Sequence, residues 1–140
     1  MEKSLKRSIL KTIISFWKIL PIIIGTLLLI SLITTLIPKS FYITIFNQNV
    51  IFDSLIGSVI GSISAGNPIT SYIFGGELLK QGISLIAITA FLVSWVTVGI
   101  IQLPAESYIL GRKFAILRNL TSFILSIIVA ILTVLILKLI

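Results

Sequence analysis

The 140-residue chain has no cysteine, no histidine and only four acidic side chains against eleven basic ones. Without cysteine there are no disulfides, thiolate metal sites or cysteine-anchored haem, and without histidine there is no imidazole acid–base chemistry. No metal or other cofactor is expected. Long polar stretches are also missing, which leaves no room for a soluble enzymatic or nucleic-acid-binding module. Catalysis would have to rest on Asp53, Glu77, Glu106 or the serines, and no nucleophile–base spacing joins them. A G-x-x-x-x-G-K loop is absent as well, so the sequence carries no means of coupling to ATP. The expectation is a protein that is not an enzyme and has no nucleic-acid partner.

What is present is apolar. Hydrophobic residues make up 57% of the chain and charged ones 11%, and the mean hydropathy is +1.21. These values lie far from those of a soluble domain, so the expected class is an all-α integral membrane protein. A hydrocarbon core of about 30 Å takes roughly 20 helical residues to cross. Three segments meet that length, at 18–37, 83–103 and 119–140. Residues 1–17, "MEKSLKRSILKTIISFW", read as a basic amphipathic helix at the cytoplasmic surface that leads into an uncleaved first span. Residues 104–118 read as a basic cytoplasmic loop, and the whole chain as one membrane domain.

Between the first two spans lie "VIFDSLIGSVIGSIS" (50–64) and "PITSYIFGGELLK" (68–80), each too short to span alone. They form either one long broken crossing or a re-entrant hairpin of two half-helices. Basic residues decide between the two by the positive-inside rule. A hairpin puts Lys3, Lys6, Arg7, Lys11, Lys18, Arg112, Lys113 and Arg118 on one side against Lys39, Lys80 and Lys138, eight to three. A single crossing moves Arg112, Lys113 and Arg118 out and Lys80 and Lys138 in, giving seven to four. The stronger bias favours the hairpin, with the N-terminus in the cytoplasm and the chain in the plasma membrane as a multi-pass protein.

A chain reversal inside a bilayer leaves backbone groups that lipid cannot satisfy, so it persists only when packed in protein or lining a watery cavity. In "SAGNP", Gly66 permits an unusual backbone, Asn67 suits an N-cap and Pro68 suits the first helical turn. A half-helix N-terminus there would present amides to a polar or anionic solute, with Ser62, Ser64, Thr70 and Ser71 adding hydroxyls. Small residues are equally the means by which membrane helices pack, as Gly57 and Gly61 illustrate, so a purely structural hairpin remains the alternative. Glu106 and Arg118 are expected to form a structural ion pair. Gln102 and Trp95, seven residues apart, share a helical face as possible path-lining groups. Asp53 is expected at the membrane interface and Glu77 in water.

The run "GSISAGNPITSYIFGGELLKQGISLIAITAFLVSW" resembles the hairpin-and-span portion of the predicted permeases that include the YraQ-like proteins and the organoarsenical permease ArsP. The likeness rests on Gly66 and Pro68 at the tip, Leu78, Leu79 and Lys80, Gly82 with Ser84, and Phe91. "QLPAESYILGRKFAILRNL" is similar to the short members of that group, so the resemblance covers roughly residues 55–122. It implies a transporter whose long members carry two such units, often with tip cysteines where this chain has Ser62, Ser64 and Asn67. A single unit with three crossings implies a partner, as a homodimer or a heterodimer with a paralogous half-permease. The expected function is therefore a half-unit of a permease that moves a small polar or anionic solute past the hairpin tip. The rival reading is a non-transporting scaffold or accessory subunit whose hairpin only packs against its partner.

Overall fold

The computed structural model describes residues 2–36, 39–46, 49–64 and 67–140. Within them the chain is all-α, with seven helices and no strand: α1 (Glu2–Leu36), α2 (Lys39–Ile45), α3 (Val50–Ile63), α4 (Pro68–Lys80), α5 (Leu85–Thr97), α6 (Leu103–Leu110) and α7 (Arg112–Leu139). Among the described residues two stretches are long and apolar enough to cross a membrane, Arg7–Ile33 within α1 and Arg112–Leu139. Residues 1–36 and 37–140 form separate compact units.

The first unit is a single helix. The basic segment and the apolar segment that follow one another in sequence share one continuous α1, with Pro21 in its interior. Pro21 removes one donor from the helical ladder, yet the strongly apolar residues on both sides keep the helix running through it.

The second unit is held by three helices in close register. Asp53 meets Ser84, Gly57 faces Ala87, and Gly61 faces Phe91 and Ser94. The pairings rise together in number, so α3 and α5 run parallel. Helix α4 runs the other way, because Phe74 packs on Phe91 with ring centroids 6.1 Å apart while Leu78 packs near Ile83 and Ile88. Hence the chain reverses between α3 and α4, and α4 lies on α5. Helix α7 is antiparallel to α3 and α5: Ser58 bonds Ser126 at 2.9 Å, Gly99 bonds Asn119 at 2.8 Å, and Val134 and Lys138 reach the level of Asp53.

Small polar side chains share the core with Ile83, Ile88 and Phe91. Its largest fully buried side chains are Asp53, Ser54, Ser58, Ser71, Ser94 and Ser126, whereas Leu125, Leu132 and Leu135 on α7 are about half exposed or more. Small residues let the helix axes approach, and each serine can turn its hydroxyl back on its own helix. Ser54, Ser62, Ser71, Ser94 and Ser126 all donate to the carbonyl three residues earlier. This arrangement suits an apolar solvent, in which packing and hydrogen bonds hold helices together.

Local chemistry sets the helix ends. Asn49 accepts from the Ile51 and Phe52 amides at the start of α3. Helix α4 closes in a Schellman motif, with Ile83 N–H donating to Leu78 O and Gly82 N–H to Leu79 O. Gly82 takes the φ of +93° that this motif requires, and Leu78 packs near Ile83 as the accompanying apolar contact. Ser84 then caps α5 through the Ala87 amide.

Two expectations need correction. The segment 83–103 is not one continuous helix: α5 stops at Thr97, Val98 is extended, and α6 begins at Leu103. The β-branched run Val96-Thr97-Val98 followed by Gly99 weakens the helix, and Asn119 captures the Gly99 amide at the break. Residues 104–118 are not a loop either. Pro104 lies in the first turn of α6, Gly111 at φ +90° ends it, and Arg112, Lys113 and Arg118 sit on the first turns of α7.

Candidate functional site

At the hairpin tip, Asn67 is the N-cap of α4, its side chain accepting from the Ile69 amide at 3.0 Å. Pro68 occupies the first turn and has no amide hydrogen to offer. The Thr70 and Ser71 amides both donate to the Asn67 carbonyl. The leading amides of α4 are thus committed within the chain, and an anion would reach them only by displacing Asn67. The hydroxyls are engaged as well: Ser62 with Val59 O, Ser64 with Ile60 O and Ser71 with Pro68 O. Thr70 is half-buried and Asn67 exposed, and Gly66 lies outside the described residues.

These facts give Asn67 a measurable structural role. Asn67→Ala should lower stability by about 1 kcal/mol, the usual value of an N-cap, while Asn67→Asp keeps the acceptor and should stay near wild type. Thermal unfolding of the two variants in detergent checks the difference.

A second polar group forms where α5 breaks. Arg118 pairs with Glu106 at 2.6 Å, with side chains 36% and 17% exposed. Asn119 sits beside them, 6% exposed. Its amide nitrogen donates to the other Glu106 oxygen at 3.2 Å and to Ala115 O at 3.0 Å, and its oxygen accepts from Gly99 N–H. Glu106 on α6 and Arg118 and Asn119 on α7 therefore lock the end of α5 in place. Sequence reading paired Glu106 with Arg118 but missed Asn119. The available signal was an amide side chain in an otherwise apolar helix, directly after the arginine.

Beside this lock is a cavity of about 70 Å³ lined by Ser64, Trp95, Gly99, Gln102 and Arg118 among others. The structure thus brings Trp95 and Gln102 to one cavity, though not on one helical face, because α5 ends between them. Ser64, the C-cap of α3, joins them because α3 and α5 run parallel and end together. Of the other described tip residues, Ser62, Asn67, Pro68 and Thr70 do not line this cavity: Ser62 is buried in the helix seam and Asn67 is exposed.

Asp53 is 1% exposed, buried beside Ser84 at the start of α3. Glu77 pairs with Lys80 one turn on, at 3.1 Å on the surface. No group of three or more histidine, cysteine or acidic side chains able to hold a metal ion occurs among the described residues. Compared with protein-family models, with curated proteins and with solved structures, the chain matches none.

Proposed function

We propose that the chain is a half-unit of a membrane permease for a small polar or anionic solute, working beside a second copy or a paralogous half. The observation that carries this reading is the convergence of two helix breaks, Ser64 after α3 and Val98–Gly99 after α5, on one polar cavity beside Arg118. Irregular backbone at membrane depth is tolerated where it lines a cavity, and discontinuous helices around a site are the common plan of secondary transporters. In this reading α1 and α7 cross the plasma membrane with the N-terminus in the cytoplasm. Hairpin α3–α4 enters from the opposite side, and α5 supplies the third, broken crossing. Arg118 and Lys138 are 20 residues apart on α7, about 30 Å, which matches the hydrocarbon thickness. The tip, level with Arg118, would then reach deep toward the cytoplasmic boundary. Arg118 is paired with Glu106, so the cavity offers a small solute the hydrogen-bonding groups of the guanidinium and the Gln102 amide rather than an uncompensated charge.

The committed amides of α4 favour a second reading, a non-transporting scaffold whose hairpin only packs. One experiment separates them, since the chain has no native cysteine. Full-length Ser64→Cys is reconstituted in proteoliposomes, and efflux of chloride, acetate, phosphate and sulfate is followed before and after an impermeant charged thiol reagent. Under the permease reading the protein raises efflux of at least one anion, and labelling at position 64 blocks it. Absence of flux supports the scaffold, whereas flux that labelling at position 64 leaves unchanged overturns this cavity as the solute path. Topology has its own check in intact cells. Lys39→Cys and Lys80→Cys should label from outside and Arg112→Cys should not, whereas labelling of 39 and 112 with protection of 80 would mean a single crossing.

A further inference from the structure

Where α6 returns along α7, the second unit leaves a groove that the permease reading does not use. Gly111 alone joins the two helices, and the contacts of Glu106 with Arg118 and Asn119 fold α6 back along the first turns of α7. Between them lies a cavity of about 520 Å³ lined by Leu103, Pro104, Ser107, Tyr108, Arg112 and Ile116. The four residues from α6 fall at i, i+1, i+4 and i+5, and the two from α7 at i and i+4, so each helix gives one face to the groove. The lining is graded along its length. Ser107, Tyr108 and Arg112 lie near the Gly111 turn, whereas Leu103, Pro104 and Ile116 lie farther from it.

No acid answers the charge of Arg112. Glu106 is the single acidic side chain on α6 or α7, and its two oxygens are taken by Arg118 and Asn119. Among the described residues Arg112 has no ion pair or hydrogen bond, and the hydroxyls of Ser107 and Tyr108 have no partner. Ser107 differs in this from Ser94 and Ser126 in the core, which donate to their own helices. Lys113 is exposed and also unpaired, and adds a second positive charge without lining the groove.

Depth and size narrow the occupant. Helix α7 has 28 residues, about 42 Å at the helical rise, which matches a bilayer together with its headgroup layers. With α7 crossing, Arg112 lies among the headgroups and Ile116, about 6 Å farther in, at the edge of the hydrocarbon. The groove therefore runs from phosphate depth to acyl depth. Its volume falls in the range of roughly 300–1,000 Å³ of sites that enclose an organic ligand, far more than a lone ion fills. A guanidinium with two hydroxyls suits a phosphate diester, and unpaired basic residues at the headgroups favour anionic lipid.

We propose that this groove binds one anionic phospholipid, with its phosphate held by Arg112, Ser107 and Tyr108 and its acyl chains lying on Leu103, Pro104 and Ile116. The inference rests on α7 crossing the membrane and is independent of transport.

The test reads binding alone, so absence of flux through the protein leaves its result standing. The full chain in mild non-ionic detergent is titrated with dioleoyl phosphatidylglycerol or dioleoyl phosphatidylcholine. Native mass spectrometry follows the bound lipid for wild type, Arg112→Gln and Lys113→Gln. Wild type should hold one phosphatidylglycerol per chain in preference to phosphatidylcholine. Loss of the charged hydrogen bonds in Arg112→Gln should weaken that binding about tenfold or more, while Lys113→Gln, an equal change of charge outside the groove, stays near wild type. Glycerol phosphate, which carries the phosphate without acyl chains, should not displace the lipid at equal concentration. Equal retention of the two lipids would mean annular contact only and overturns the proposal. So does an equal loss in the two variants, which would mean diffuse surface charge, or displacement by glycerol phosphate, which would mean a soluble-anion site. Should Arg112→Gln fail to fold, the double variant Ser107→Ala with Tyr108→Phe decides, since it removes both hydroxyls and leaves every charge. A loss of about tenfold supports the site, and unchanged affinity overturns it.

Discussion

Gly57→Ala should destabilise the second unit by about 3 kcal/mol, whereas Gly76→Ala should leave it unchanged. A methyl group at position 57 would overlap the Ala87 carbonyl oxygen and come within 2.9 Å of its carbon. Backbone atoms of a packed helix cannot swing aside as the end of a side chain can, so the two helix axes must move apart. Position 61 is similar: an added Cβ would overlap the Ser94 hydroxyl and approach the Phe91 carbonyl carbon to 3.1 Å. Separating α3 from α5 also pulls on the Asp53–Ser84 and Ser58–Ser126 hydrogen bonds, which bridge the same seam and the neighbouring one. Overpacking costs typically about 1–3 kcal/mol, and a clash with backbone atoms belongs at the upper end of that range, a large fraction of a typical stability. Gly76 faces open space, with no atom within 4 Å of an added Cβ, and alanine is the better helix former. The measurement is the yield of monodisperse protein in mild detergent with its unfolding midpoint. Wild-type behaviour of Gly57→Ala would mean that α3 and α5 do not pack this closely.

The same seam shows what a sequence reader can and cannot see. The start of α4 was read from local chemistry, Asn67 as its cap and Pro68 in its first turn; Asn49 at the start of α3 and Gly82 at a positive φ after α4 are signals of the same local kind that the sequence reading passed over. The break after α5 was not, because hydropathy treats "VTVGIIQL" as more of the same apolar run. What ends α5 is a hydrogen bond from Gly99 to Asn119, twenty residues away. Helix α7 starts at Arg112 for a related reason: charge marks where a span leaves the hydrocarbon, and a helix can continue beyond that point. Lysine counting bears on which side of a membrane the loops face; the antiparallel run of α4 against α5 is a reversal of the chain and carries no sidedness. The burial of Asp53 had no local signature. It depends on Ser84, brought beside it only by the return of α4. Trp95 and Gln102 reach one cavity through the break in α5, whereas their sequence spacing had suggested an unbroken helix.

Asn119→Ala should be the most damaging single change outside the glycine seam. That side chain accepts from the Gly99 amide and donates to Glu106 and to the Ala115 carbonyl, so its removal breaks three hydrogen bonds at once. Losing the acceptor leaves the Gly99 amide without its partner. Losing the donor leaves Glu106 Oε2 without that partner, with only Oε1 still paired to Arg118. At about 1 kcal/mol for each bond, and up to about 3 for a buried group left unsatisfied, the expected loss is about 3–5 kcal/mol. Asn119→Asp separates the two halves of the role. It preserves an acceptor for Gly99 but places a second carboxylate against Glu106, so it should destabilise comparably and recover when combined with Glu106→Gln. A double-mutant cycle on thermal stability measures this coupling, expected at about 1 kcal/mol or more because the two side chains are in direct contact. Additivity of the two changes would show that α6 and the α5 break are held independently. Hydrogen exchange adds the local readout: in Asn119→Ala the Gly99 amide should lose protection while amides in the middle of α5 keep theirs.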